Sequence, residues 1–347
     1  MSGKIKIGLW GIGRSGWLGH LAEIDRFPEF FEVVAGCDLI KERSDKLVER
    51  YPGAKGYTDY KEFLADENID LVSVATYSSE HVKHAEMVLE AGKYLFLEKP
   101  IGVNYAEALK LKELEAKYPN KIFIRHNRRF EAAFNHLLEI MDSGILGEIY
   151  EVKLCRHRFQ LRNDWQTIKA CNGGQLNNWG PHLIDHAIIL MQSPIKEIWS
   201  DLKNTVTLGD AEDHLKVIFR GENGRVIDLE ISDCVRIASP VYTVYGSRGS
   251  LVSYNEKEFE ISYLEPSESL PPKGAKSESP AWTSGYGGEI KLNYINKTIP
   301  VAPSNGAKMT DIYGRLYKAI KGIEKFPITL EQALEIVRVS DLIRSQN

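Results

Sequence analysis

GLWGIGRSG (residues 8–16) is answered eighty residues later by FLEKP (96–100), and these two stretches decide how the chain is read. Gly11, Gly13 and Gly16 form G-x-G-x-x-G directly after the apolar run Ile5 to Trp10, the order in which a strand, a tight turn and a helix bring backbone against a pyrophosphate. Asp38 closes a second apolar run (EVVAGCD) 22 residues after Gly16, where a carboxylate accepts hydrogen bonds from the adenosine ribose. A carboxylate there repels a 2′-phosphate, which favours NAD, while Lys41 and Arg43 nearby leave NADP open. Lys99 follows the apolar run KYLFL, so it stands at the carboxyl edge of a parallel sheet, where open α/β folds bind their ligands.

Working outward, the first third alternates short apolar runs at 4–10, 31–37, 69–75, 93–97 and 121–125 with helical patterns, the signature of βαβ units. A helical face over 81–91 stops at Gly92, and Asn104 with Glu107 has capping-box spacing for a helix reaching about Tyr118. After NRRF (127–130) and an amphipathic helix to about Met141 the texture changes. Strand-like runs at 148–157, 196–203, 214–220, 225–232, 241–246 and 250–254 suggest a mostly antiparallel sheet, with a hairpin at Asn223-Gly224. A buried helix over 179–191 interrupts it, residues 265–288 form a Ser-, Pro- and Gly-rich excursion, and a helix over about 328–345 ends the chain. The expected fold is therefore α/β plus α+β: a doubly wound Rossmann domain over 1–125 and an α+β domain with an open, mostly antiparallel sheet over 126–347, which binds substrate and assembles the oligomer.

Bulk properties narrow the function. With 347 residues, 27% charged side chains and a formal net charge of −4, the chain has no broad basic field for nucleic acid or anionic lipid. MSGKIKIGLWG lacks the features of an export signal and no apolar run has the length of a membrane span, so a cytoplasmic location is expected. Four cysteines without C-x-x-C spacing fit a reducing compartment.

A second chemical cluster lies in GGQLNNWGPHLIDH (173–186). Asn178 and His182 are four apart, and Asp185 and His186 follow at helical spacing. No partner motif completes a metal set, so the expectation is acid-base work without a metal, with His182 titrating near neutrality and Asp185 orienting its imidazole. Asn163, Asp164 and Trp165 in RNDWQ (162–166) are placed to touch a sugar, and packing within an exposed loop is the alternative. Thr76 and Tyr77 end the strand before Lys99 on the same edge, and His81 starts the helix that follows.

GIGRSG, AGCD, EKP, NRRF, GEI and the glycine-pair segment ending in PHLID stand in the order and spacing of the Gfo/Idh/MocA family of NAD(P)-dependent oxidoreductases, which this chain resembles over essentially its whole length. The resemblance implies hydride exchange between a nicotinamide and a CH–OH group of a sugar, inositol or related polyol, with Lys99 in proton transfer and substrate binding and His182 as the histidine of the family's D-x-G-x-H segment. The family's aspartate at that segment is Asn178 here, which removes a negative charge beside the histidine. Catalysis is assigned to Lys99 and His182, and substrate contact to Asn178, Asp185, Trp165, Asn163 and Arg128. Cofactor contact is assigned to Gly11, Gly13, Arg14, Ser15, Gly16, Asp38, Thr76, Tyr77, His81, Glu98 and Lys99. Expected partners are a small carbohydrate or polyol and a second copy of the chain, as homodimer or homotetramer, with no nucleic acid or membrane. NAD-dependent glycosidases that oxidise a sugar transiently, and sugar-responsive regulators that bind a dinucleotide without catalysis, share the implied fold and are the alternatives.

Overall fold

β1 (Ile5–Trp10), β2 (Phe31–Cys37), β3 (Lys55–Tyr57), β4 (Leu71–Val74), β5 (Tyr94–Glu98) and β6 (Ile122–Arg125) build one parallel sheet in the order β3-β2-β1-β4-β5-β6. These are strands of a computed structural model that describes residues 3–275, 277 and 290–347. Leu71, Val72, Val74, Leu95, Phe96 and Leu97 are fully buried, as strands covered by helices on both faces require. The strand order reverses between β1 and β4, so the crevice outside their carboxyl ends lies beside Trp10, Val74 and Glu98. Gly92 ends the helix His81–Glu90 with φ +78°, and Asn104 caps its helix by accepting from the Glu107 N–H. β3 is absent from the expected strands. It is three residues long, largely exposed and at the sheet edge, too short to alternate.

The second sheet contains β7 (Ile149–His157), β8 (Ile195–Lys203), β9 (His214–Gly221), β10 (Val226–Ser232), β11 (Tyr242–Gly246), β12 (Gly249–Ser253), β13 (Glu258–Leu264) and β14 (Tyr294–Pro300). Their order is β14-β13-β12-β11-β7-β10-β9-β8, antiparallel throughout except for the parallel pair β7 and β10. β9 and β10 make the expected hairpin, turning through Gly224 at φ +80°. β13 and β14 are additional to the strands read from sequence, and residues 276 and 278–288 of the 265–288 excursion lie outside the described residues. One face of this sheet packs Val152, Leu154, Val217, Phe219, Leu229 and Tyr242 under the helices Ala132–Asp142, Gly180–Met191 and Leu330–Ser345. Period-two alternation turns the intervening side chains, among them Trp199, Ile218, Lys216, Glu230 and Tyr245, to the opposite face.

The last helix joins the two layers. Leu330, Ala333, Leu334 and Val337 enter the core of the parallel sheet, whereas Ile336, Val339 and Ile343 enter the core of the second. Ile312, Tyr313 and Leu316 also belong to the first core, so residues near the C-terminal end complete the dinucleotide domain. This helix faces both domains and fixes the cleft between them. Among the described residues no helix is long and apolar enough to cross a membrane.

Candidate active site

The three glycines of the loop after β1 have different physical reasons. Gly11 adopts φ +95°, donates to the Cys37 carbonyl at 2.8 Å, and leaves room for no side chain, since a Cβ there would stand 2.6 Å from the Ala75 backbone. A Cβ on Gly16 would strike the Gly11 carbonyl oxygen. Gly13 is open by contrast. Its only neighbour within 4 Å of a Cβ position is Arg43 Nη1 at 3.9 Å, so the space beside this backbone suits a ligand. The following turn, Ser15–Leu21, is a π-helix whose first N–H groups receive no side-chain cap, which suits an anion such as a pyrophosphate.

Asp38 braces the loop from the exit of β2. Its Oδ2 accepts from the Ile12 N–H at 2.8 Å, its Oδ1 accepts from the Ile40 N–H at 2.9 Å, and Arg43 Nη1 lies 3.4 Å from the carboxylate. Arg14 donates to Gln166 Oε1 at 3.1 Å and Tyr77 meets Trp165 edge to face at 5.1 Å, so the loop and the β4 exit both reach the second domain. Thr76 Oγ1 bonds His84 Nδ1 at 2.9 Å.

Two of the expected cofactor contacts are also tied into the protein itself. His81 is buried, with Nδ1 2.7 Å from the Pro100 carbonyl and Nε2 3.3 Å from that of Thr76, so its ring ties the β4 exit to the segment after Lys99. Glu98 is buried too. It accepts from Ser15 Oγ at 3.0 Å, from the Lys99 N–H at 2.9 Å and from Arg125, while His20 Nε2 stands 3.3 Å away. Burial alone would raise its carboxyl, but Arg125, aided by His20 and Lys99, holds it well below the usual carboxylate range. Arg125 pairs with Glu23 on its other side at 2.6 Å, and the same network commits the Ser15 hydroxyl. No periodic pattern signals this buried network, because its members come from three separated segments, 15–23, 98–99 and 125.

Lys99 emerges from that network into the cleft. Its Nζ donates to the backbone carbonyl of Asn178, 2.8 Å away in the second domain. Burial pushes its ammonium down to about 8, with Arg128, Arg125 and Arg14 acting the same way and Glu98 opposing them. His182, on the first turn of the helix Gly180–Met191, is buried with no partner on Nδ1. Burial and then the charges of Lys99 and Arg128 hold its imidazole well below its ordinary value, so the ring is neutral. Trp179 and His126 meet it edge-on at 6.2 and 6.4 Å. His126 and Trp179 escaped the sequence reading, since a single residue after a strand end carries no periodic signal.

Asp185 is tied likewise. Arg129 holds its buried carboxylate in a bidentate pair, from Nε at 2.7 Å and Nη2 at 2.6 Å, and among the described residues no hydrogen bond joins it to His182. His186 stacks on Phe134 at 3.7 Å and belongs to the core. The Asn178 amide makes no hydrogen bond among the described residues, and Arg128 lays its guanidinium on Trp179 at 4.2 Å while pairing with Glu131. Trp165 lies on the segment that crosses to Tyr77, whereas Asn163 is exposed beside it. Among the described residues no group of three His, Cys, Asp or Glu side chains could hold a metal ion.

The geometry brings Lys99, Asn178, Trp179, His182, Arg128 and His126 together at the carboxyl edge of the parallel sheet, close to the glycine loop. A lysine pushed down to about 8 and a neutral imidazole can both exchange a proton with an alcohol.

Comparisons with known proteins agree on this architecture. Residues 5–126 match the family model described as an oxidoreductase family with an NAD-binding Rossmann fold, and residues 134–252 match the GFO/IDH/MocA C-terminal domain. The oxidoreductase YdgJ of Escherichia coli K12 is 27% identical over 99% of this chain and 96% of its own. The scyllo-inositol 2-dehydrogenase (NADP(+)) IolW of Bacillus subtilis is 24% identical over 96% of this chain and 91% of its own. An NAD-binding protein from Listeria innocua superposes with a TM-score of 0.83 at 23% identity, covering 99% of this chain and 95% of that one. With its NAD-binding Rossmann domain and its companion C-terminal domain both matched, the chain belongs to the Gfo/Idh/MocA family of oxidoreductases.

Proposed function

We propose that this oxidoreductase moves a hydride between the nicotinamide of NAD and a CH–OH group of a sugar, inositol or related polyol, without a metal. The observation that carries this reading is the meeting of Lys99 from one domain with the Asn178–His182 segment of the other, beside a glycine loop with open space at Gly13. When bound, the nicotinamide accepts or returns the hydride. Lys99 Nζ, as its neutral amine, meets the substrate oxygen and takes its proton, for which a lysine pushed down to about 8 is suited. Neutral His182 receives or relays that proton, and Asn178 orients neighbouring hydroxyls with its free amide. Gly13 and the first N–H groups of Ser15–Leu21 would hold the pyrophosphate, Asp38 the ribose hydroxyls, and Tyr77 with Trp165 the wall of the cleft.

The inositol 2-dehydrogenase of Salmonella typhimurium, 32% identical over 42% of this chain and 43% of its own, and IolW supply the precedent for a cyclic polyol. The protein is read as a cytoplasmic homodimer or homotetramer formed through the second domain. Incubating the full chain with NAD or NADP and a panel of sugars, inositols, sugar acids and glycosides, followed at the nicotinamide absorbance, tests the reading. Steady reduction with at least one CH–OH donor is expected. No reduction with any member in either direction would remove it, and release of free sugar from glycosides without net NADH would replace it with transient oxidation.

A further inference from the structure

Lys99, Arg125, Arg128 and Arg129 come from segments at the carboxyl edge of the parallel sheet, and the fold neutralises them unequally. Arg125 lies between Glu23 and Glu98, and Arg129 is held by Asp185. Lys99 forms no ion pair among the described residues, and its Nζ donates to a neutral carbonyl. Arg128 gives one Nη to Glu131, while its Nε and second Nη bond nothing among the described residues. Glu131 is shared, since Arg156 Nη2 stands 3.8 Å from it while also pairing with Glu256 at 2.6 Å. Arg14 adds a further positive charge, bonded to neutral Gln166. The residue whose carbonyl touches Lys99 is Asn178, which carries no charge.

Lys99 is a desolvated cation without a counter-charge, which is costly unless a ligand offsets it, whereas Arg128 is 26% exposed and paired with Glu131 but keeps one guanidinium edge unengaged among the described residues. The two cations flank one short piece of chain. Lys99 lies at the Asn178 carbonyl and Arg128 on the Trp179 ring, one residue on, so a small molecule that reaches Lys99 also comes within reach of the free guanidinium edge. That edge presents parallel N–H groups, the arrangement that binds a carboxylate or phosphate.

We infer that the substrate is an anionic polyol, a sugar acid or a sugar phosphate, whose anionic group is held by Arg128 while its CH–OH lies at Lys99. This rests on the dehydrogenase reading above. The C–H bond breaks with its electron pair passing to nicotinamide, the O–H proton passes to the Lys99 amine once that has given up its own proton, and the anionic group changes no bond.

The test compares kcat/KM of the full chain for matched sets: a neutral hexitol or hexose, the corresponding aldonate or uronate, and the corresponding phosphate ester. At least a tenfold preference for one anionic member is expected, and which member it is identifies carboxylate or phosphate as the handle. Arg128→Gln should abolish the preference mainly through KM, and Arg128→Lys should retain part of it. If Arg128→Gln does not fold, the wild-type KM for the anionic member should rise several-fold between low and high salt while that of the neutral member stays constant. Equal or better use of the neutral member overturns the inference and leaves the dehydrogenase reading standing. If no member is turned over, the dehydrogenase reading fails, and calorimetric titration in the presence of NADH decides the inference alone: no tighter binding of the anionic member overturns it.

Discussion

Lys99 Nζ and the backbone carbonyl of Asn178 are 2.8 Å apart, and this hydrogen bond joins the end of β5 to the turn that leads into the helix Gly180–Met191. The bond fixes where the two domains meet at the chemistry, and it leaves the Asn178 side chain free. The Lys99 ammonium is thereby presented with a neutral acceptor, which a substrate oxygen can replace.

Cofactor choice follows from Asp38. A carboxylate already bonded to the Ile12 and Ile40 N–H groups is fixed in place, and a 2′-phosphate set against it would cost several kcal/mol if both were desolvated. NAD should therefore give the higher kcat/KM at equal salt. Asp38→Ala should narrow the ratio and also raise KM for NAD, because the glycine loop loses its brace. A wild-type preference for NADP would show that Arg43, 3.4 Å from Asp38, governs the ribose site instead.

Asn178 and His182 bear on the pH profile. Replacing His182 by Ala should lower kcat by about 10²–10⁴-fold, the usual worth of an acid-base group, with NAD affinity little changed. Asn178→Asp should fold normally and move the rate profile to higher pH, since a carboxylate beside the imidazole offsets the burial and the Lys99 charge that now depress it. Near wild-type turnover of His182→Ala would make the ring structural.

Acid stability provides a test independent of any substrate. Burial holds His20 and His126 at about 4 and His186 at about 3, against an ordinary 6.5. Folded values below unfolded ones mean that the unfolded chain binds more protons in this window, so stability is lost as pH falls from 6.5 toward 4. Each such imidazole contributes about 1.4 kcal/mol per pH unit there. His186→Phe, stacked on Phe134, should flatten the fall by about that amount in denaturant titrations between pH 6.5 and 4.5. An unchanged slope would show that His186 is not buried as a neutral ring.

Much of this was legible beforehand, for identifiable reasons. β2 was read at its observed bounds because a buried strand leaves a continuous apolar run, and the β9–β10 hairpin announces itself through Asn223-Gly224. β13 alternates Glu258, Phe259, Glu260 and Ile261 over a short run beside the excursion that follows, which masks its strand signal, and edge strand β14 is mostly exposed. The meeting of Lys99 with the segment of Asn178 and His182 fits the expectation because motif and sheet edge coincide. The contacts of Glu98, His81 and Asp185 with Arg125, Pro100 and Arg129 are not legible in the sequence, since these partners reach them only after the chain has folded.

Assembly is the remaining structural test. The uncovered face of the second sheet carries Trp199 and Tyr150, both more than half exposed, with Ile218, Val226 and Tyr245 among its charged residues. Such a face is expected to pair with that of a second copy. Light scattering at micromolar concentration should give a multiple of 39.3 kDa, and Tyr245→Glu should reduce it. A mass of one chain for the wild type would exclude the interface.

The most direct measurement is nicotinamide reduction by wild type and Lys99→Met, side by side on the best CH–OH donor from the panel. A fall in kcat of about 10²–10⁴-fold in the variant is expected, with unchanged NAD binding and a wild-type rate that rises as pH passes through about 8 while Lys99 loses its proton. Equal turnover by Lys99→Met, or a wild-type rate indifferent to pH across that range, would contradict the role given to Lys99.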